Sequence, residues 1–378
     1  MKTFHIIISA LLATTIVSCD GNEILPETPD APETPEQPTE SYRFTFGGSI
    51  DTDEEATRAS WTDESTDKKL VFGWDYTNTN DPTYEMKMAF ISPQGSPLVS
   101  TGQNRENGKN YTDVTIMKHS TKSDDRHWAE FETVERYDGR LKEYDGYKLI
   151  AVNGKNSELK QINDKYAIQL TMPNTFEQSA ANSLTHLSDY MYMYDTYMLK
   201  EGDAHLEFNH LTAPVRFRIH NWRPSKVKIY SVTMHANQSL AGSSVSVASD
   251  GVTYSSTHSS ITVKAANNSY FTIAERSQKE YIDLYAHVMP LAGTGIQAGD
   301  SIKFTIEAND VVIGDKKVQY LTSKLDHISV EKFETTTGSS NWRTGYLYTF
   351  HLYLDDAING VTISSISIKD WVTSDEIL

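Results

Sequence analysis

The sequence predicts an all-β protein, two tandem β-sandwiches behind an exported and extended N-terminal segment. Three observations predict it. Short runs with apolar residues on alternate positions recur along the chain, and they are separated by clusters of Gly, Asn, Asp and Ser. The composition is rich in Thr, Ser and Val and 11% aromatic, which favours pleated, half-buried surfaces. The length, 378 residues, suits two domains of roughly 150 residues each. With 38% hydrophobic residues the chain can bury real cores, so disorder throughout is excluded. A net charge of −17 repels phosphate backbones and argues against nucleic acid as a partner. A single cysteine excludes an internal disulfide framework and any CxxC metal or redox site.

The N-terminus reads as a targeting segment. Lys2 supplies a positive start, and Phe4 to Val17 is mostly apolar, short for a membrane span and suited to a signal h-region. It ends at Ile16-Val17-Ser18-Cys19, with a small residue just before the only Cys. This ending resembles a bacterial lipobox, which implies a signal peptide over 1–18 and a lipid, such as palmitate, on Cys19. From 19 to 41 runs a tether. Pro26, Pro29, Pro32, Pro35 and Pro38 recur every third residue, in phase with a polyproline II turn. Seven acids and no base lie between Asp20 and Glu40, so the segment is stiff and self-repelling. About 20 residues at ~3.1 Å each reach ~60 Å.

Next, Tyr42, Phe44, Phe46 and Ile50 share one parity and predict a half-buried first strand. The acidic, small-residue stretch Asp51 to Thr57 leads to Arg58-Ala59-Ser60-Trp61. A lone Arg after four acids, in a stretch without apolar periodicity, is protease-accessible.

A lipobox, an acidic tether, one strand and then Ala-Thr-Arg-Ala-Ser-Trp (56–61) together resemble the precursor layout of the fimbrillin family, the subunits of type V pili. The resemblance implies two transthyretin-like, Greek-key β-sandwich domains. It implies an outer-membrane lipoprotein precursor held by the lipid on Cys19, and an arginine-specific protease that cuts between Arg58 and Ala59. That cut removes the lipid and the first strand, and other pilus subunits then become the partners. Physical reasoning runs the same way. Losing four buried apolar side chains costs ~6–12 kcal/mol, against a domain stability of ~5–15 kcal/mol. A sandwich so opened presents an apolar slot between two unpaired strand edges, which a strand from another subunit can fill. The alternative is that Arg58 is an ordinary loop residue and the strand stays in place.

Further strands are predicted at Leu70 to Trp74, Tyr84 to Ile91, Val114 to Met117, His127 to Phe131, Tyr147 to Val152 and Tyr166 to Met172. Leu187 to Leu199 is ambiguous. Leu187, Tyr190, Met191, Tyr194 and Met198 fit a helical stripe, while Tyr190, Tyr192 and Tyr194 fit a strand. Glu201-Gly202-Asp203 predicts the boundary between an N-terminal domain (42–200) and a C-terminal domain (201–378). Leu206 and Phe208, then Val215, Phe217 and Ile219, alternate on either side of Pro214, which predicts a bend or strand break there. The Leu-x-Phe-x-His run ending at His210 also resembles fimbrillin sequences, and His210 itself reads as structural. Strands follow at Lys226 to Met234, Tyr270 to Ile273, Tyr281 to Met289, Ser301 to Glu307 and Val311 to Ile313.

At the C-terminus Tyr346, Tyr348, Phe350, Leu352 and Leu354 alternate strictly. Val361 and Ile363 have one parity, Ile366 and Ile368 the other, so a bulge or a junction of two strands is expected at Ser364-Ser365. The family resemblance implies that strands within 345–378 are donated to a neighbouring subunit. They could equally be the last in-place strands of the second sandwich.

Catalytic and metal signatures are missing: the sequence has no HExxH, GxSxG, Walker loop or GxGxxG. His119 and His127 flank Asp124-Asp125 in a loop-like charge run, and Asp355-Asp356 sits in a polar turn. No enzyme activity and no cofactor are expected. The leading function is a structural subunit of a cell-surface fimbrium serving adhesion, extracellular once mature; within a pilus an uncut anchor or a tip subunit is also open. The alternative is a surface glycan-binding lipoprotein that uses Trp128, Trp222 or Trp342 as sugar platforms. Buried tryptophans favour the first reading, and an exposed coplanar pair favours the second.

Overall fold

The computed structural model describes residues 40–50, 62–64, 69–71, 83–101, 108–119, 128–154, 156–190, 192–236, 239, 241–276, 281–289, 302–310, 319–322, 342, 344, 346–355 and 360–370. In chain order the strands begin with β1 (Ser41–Tyr42), β2 (Thr45–Ile50), β3 (Thr62–Glu64), β4 (Lys69–Val71), β5 (Thr83–Ile91), β6 (Thr112–His119), β7 (Trp128–Thr133), β8 (Tyr137–Asp138) and β9 (Lys148–Asn153). Then come β10 (Glu158–Ile162), β11 (Lys165–Thr171), β12 (Thr175–Gln178), β13 (Met193–Met198), β14 (Ala204–His210), β15 (Ala213–Asn221), β16 (Val227–Ala236), β17 (Ala241–Ala248) and β18 (Gly251–His258). The last are β19 (Ser260–Ala265), β20 (Phe271–Ile273), β21 (Tyr281–Val288), β22 (Ile302–Asp310), β23 (Gln319–Thr322), β24 (Tyr346–Asp355) and β25 (Gly360–Asp370). Helical structure in the described residues amounts to short 3-10 turns at Leu141–Tyr144, Thr185–Tyr190 and Ala266–Asn268. The protein is all-β.

The first half closes on itself. β13, β14, β2, β7, β6, β5 and β9 form a barrel, sealed because β9 pairs with both β5 and β13. Its interior holds Phe44, Phe46, Met86, Met88, Phe90, Leu149, Ala151, Met193, Leu206 and Phe208. The ladder is continuous.

β5 and β9 are buried on both faces. Outside the barrel, Ala89, Ile91, Ile150 and Val152 join the second core, together with Ile168, Leu170, Val245 and Val247 from the sheet β10-β11-β17-β18. This explains the unbroken apolar run Leu149-Ile150-Ala151-Val152: a strand covered on both sides loses its polar alternation.

The second half is a sandwich. The sheet β12-β19-β16-β22-β23, with β20 also on β16, and the sheet β21-β15-β24-β25 contribute to one core. Phe217, Phe304 and Phe350 meet there with centroids 5.1–6.4 Å apart. Residues 40–378 make one contact unit. Ala204, Leu206 and Phe208 line the barrel, while Ile168, Leu170 and Phe176 belong to the second core. Strand alternation in 204–208 identifies a strand but not its sheet, because the partner, β2, lies far away in sequence.

Pro214 does not break a strand. The break is at Leu211–Thr212, and Pro214 is the second residue of β15, in register with His287. The ambiguous segment contains both conformations, a 3-10 turn over Thr185–Tyr190 and a strand over Met193–Met198. At the C-terminus the expected bulge is present: His351 faces Ser365 and Leu352 faces Ile363, so Ser364 is the extra residue. Val311 to Ile313 and Trp74 lie outside the described residues.

His287, on β21, is 0% exposed, and burial lowers its pKa to about 3; burial lowers that of His210 to about 3 as well. Both fold as neutral bases, whereas unfolded histidine titrates near 6.5. Their contribution is complete above about pH 6.5 and is lost as pH falls toward 3. Each should remove about 1.4 kcal/mol of stability per pH unit once the unfolded chain is protonated. Urea midpoints measured from pH 7.5 to 4.5 should therefore fall steadily, and His287→Gln should flatten the slope.

Candidate functional site: the first strand and its seat

The strand expected over 42–50 is made in two pieces. β1 pairs with β8, Ser41 opposite Asp138 and Tyr42 opposite Tyr137. β2 lies between β7, antiparallel, and β14, parallel. Phe44, at the joint, is held by two bonds to Thr133. Its carbonyl accepts from the Thr133 N–H and its own N–H donates to Thr133 Oγ1, both at 2.9 Å.

The alternation does what it predicts. Phe44 and Phe46 are each 1% exposed and Tyr42 is half-buried. The Ile50 side chain lies outside the described residues, although its backbone pairs with Phe208. The Phe44 ring stacks on Tyr137 at 5.2 Å and 15°, and meets Phe90 and Tyr144 edge-on at 5.0 and 5.2 Å. Phe46 packs on Phe90 at 6.1 Å. The aromatic packing deprives Tyr144 of solvent, and its phenol is pushed up to about 12; burial pushes Tyr137 up further. The site is a hydrophobic seat. Outside, Arg43 pairs with Glu132 at 3.2 Å and Ser49 Oγ meets His205 Nε2 at 3.0 Å. Both are exposed and worth little.

Sequence reasoning missed the specificity of the seat. A Cβ at Gly48 would sit 2.7 Å from Phe131 and 3.2 Å from Phe208, two fully buried rings. The occupant must therefore carry large residues at the positions of Phe44 and Phe46 and no side chain two residues further on. Gly48→Ala should cost about 1–3 kcal/mol by overpacking, read as a lowered urea midpoint. The signal was the Gly47-Gly48 pair inside an otherwise alternating strand.

The C-terminal candidates divide cleanly. Tyr348, Phe350, Leu352 and Leu354 are buried, Tyr346 is half-buried, and their strand, β24, lies between β15 and β25. Val361, Ile363, Ile366 and Ile368 are on β25, opposite Leu354, Leu352, Phe350 and Tyr348. β25 ends its sheet, so it can leave by breaking one ladder, whereas β24 would break two.

The opposite edge of that sheet, β21, is sealed by side chains. Asn182 Oδ1 accepts from the Asp283 N–H (2.7 Å), Gln178 Oε1 accepts from the Tyr285 N–H (2.9 Å), and Gln178 Nε2 donates to the Asp283 carbonyl (3.0 Å). His186 Nε2 bonds the Tyr285 carbonyl at 2.7 Å. The amides act as a mock strand and block edge pairing. On the sheet's outer face Arg218 grips the buried Asp283 with two bonds of 2.8 Å.

Cys19, Arg58 and Ala59 lie outside the described residues. Of the tryptophans, Trp342 is 8% exposed and packs on Tyr348 at 4.5 Å, Trp128 is half-buried, and Trp222 is 48% exposed. Among the described residues no group of three or more His, Cys, Asp or Glu side chains is placed to hold a metal ion.

No family model matches the chain, and no curated protein does. Solved structures similar to it are fimbrial and cell-adhesion proteins. A fimbrial protein from Bacteroides vulgatus is 11% identical over 88% of this chain and 100% of its own, with TM-score 0.42. A candidate cell adhesion protein from Bacteroides uniformis is 13% identical over 87% and 98%, TM-score 0.41. The fimbrial anchor protein Mfa2 from Porphyromonas gingivalis is 9% identical over 88% and 99%, TM-score 0.36. Likenesses of this size leave function to be argued from the chain's own residues.

Proposed function

We propose that this chain is a structural subunit of a cell-surface fimbrium of the fimbrillin type, without catalytic activity. It is exported as an outer-membrane lipoprotein through Cys19 and held off the membrane by the acidic tether. A cut between Arg58 and Ala59 releases β1 and β2, and a strand of a neighbouring subunit takes the vacated seat; β25 is the donor its edge position favours. The observation that carries this reading is the burial of Phe44 and Phe46 between β7 and β14, in a strand joined to the rest of the chain through the stretch that contains Arg58. A strand that is both part of the core and terminal can be exchanged without breaking the rest of the ladder. N-terminal sequencing of the protein recovered from the cell surface tests it. Ala59 at the new terminus supports the reading, and a lipid-blocked Cys19 on all of the surface protein overturns the cut.

A further inference from the structure

On the outer face of the sheet β21-β15-β24-β25 a row of rings ends in an exposed indole. Trp222 follows β15 directly, and its backbone N–H donates to the Leu354 carbonyl at 3.0 Å, which extends the β15–β24 ladder by one residue. Its neighbours Asn221 and Arg223 are buried. Asn221 donates to the Ser225 and Ala274 carbonyls and accepts from the Arg223 N–H. The turn is thus fixed on both sides of a side chain that is 48% exposed. Tyr353 meets the indole at 4.6 Å and 60°. His220 stacks on Tyr353 at 4.5 Å and 8°, and Tyr281 follows at 5.6 Å. Cross-strand register sets the line, since His220 lies opposite Tyr281 on one side and Tyr353 on the other. A lone exposed apolar side chain needs no explanation. An indole held out between two buried neighbours, at the end of a row of packed rings, does.

We propose that this row is a binding site for a neutral saccharide, with the Trp222 ring as its stacking platform. The electron-rich face of an aromatic ring attracts polarised C–H groups, such as those on one face of a pyranose. Sites of this kind combine aromatic surface with a few polar groups. His220 lies beneath the row: both of its ring nitrogens are buried, without a hydrogen-bond partner among the described residues. The charges decide the class of sugar. Arg218 is committed to Asp283 by two bonds and stacked on Tyr281 at 3.9 Å, and Arg216 donates to Thr349 Oγ1. Burial and the Arg218 charge lower the pKa of His220, and they hold that of His351 near 4. An anionic sugar finds its counter-charges already spent here, whereas a neutral one requires none.

Affinity electrophoresis of the full chain, in native gels cast with galactomannan, xyloglucan, dextran or yeast mannan, tests the proposal, with heparin and polygalacturonate as anionic counterparts. Retardation is expected in at least one neutral gel. Trp222→Ala should weaken it about ten-fold with an unchanged thermal midpoint, Trp222→Phe should keep most of it, and Trp128→Ala, on the barrel, should behave as the parent. The proposal is overturned by no retardation in any neutral gel, by retardation that Trp222→Ala leaves intact, or by retardation in the anionic gels alone.

Discussion

Replacing Phe44 and Phe46 together by alanine is expected to remove about 5–8 kcal/mol of stability. Each ring is 1% exposed, and one Phe→Ala change in a core costs ~3–5 kcal/mol. The two rings contact each other at 6.5 Å, so their effects should fall short of a simple sum. A loss of that size is comparable with the whole stability of an ordinary domain. The double variant should therefore populate an opened barrel at room temperature, seen as a collapsed urea midpoint and rapid proteolysis. Each single variant should stay folded with an intermediate midpoint. A synthetic peptide spanning residues 40–50 should raise the midpoint of the double variant, because the seat formed by β7 and β14 remains. A double variant as stable as the parent would mean that the first strand contributes nothing to the core, and the reading of it as an exchangeable part would fail.

Asp283→Ala is the second large effect, at about 3–5 kcal/mol. The carboxylate is 0% exposed and answers two guanidinium groups, Arg218 at 2.8 Å and Arg216 at 4.0 Å. It also accepts from the Tyr285 hydroxyl at 3.3 Å. Removing it strands cations that are mostly covered, and an uncompensated buried charge is the costly case. The companion change separates loss of the pair from loss of packing. Asp283→Leu combined with Arg218→Met should recover part of the stability, since apolar groups of similar volume often replace a buried pair at little cost, while Arg216 still loses its counter-charge at 4.0 Å. Chemical denaturation of the two variants beside the parent reads both effects.

The legible part of the fold was the part written in strict alternation. Phe44, Phe46, Met86, Met88, Phe90 and the run from Tyr346 to Leu354 declare both strand and inward face. The parity change at Ser364-Ser365 declares the bulge. What stayed hidden was non-local or polar. The β14–β2 pairing joins strands more than 150 residues apart, and no local signal marks it. The hairpin of β17 and β18 was missed because Ser and Thr outnumber Val245, Val247, Val252 and Tyr254 there, although Asp250-Gly251 marks its turn. The candidate site was half legible. The buried residues of the first strand could be named in advance, but the demand for an empty position at Gly48 came from Phe131 and Phe208 across the ladder. Trp222 could be named in advance, but the row it ends could not, since its rings come from three strands.

The amide seal along β21 has a consequence for how copies of this chain meet. With Gln178 and Asn182 already occupying that margin, the four-stranded sheet has a single sticky flank, and it is the flank that carries the terminal strand. On the function proposed above, growth through it is confined to one direction per molecule, and the product is a thread rather than a mat.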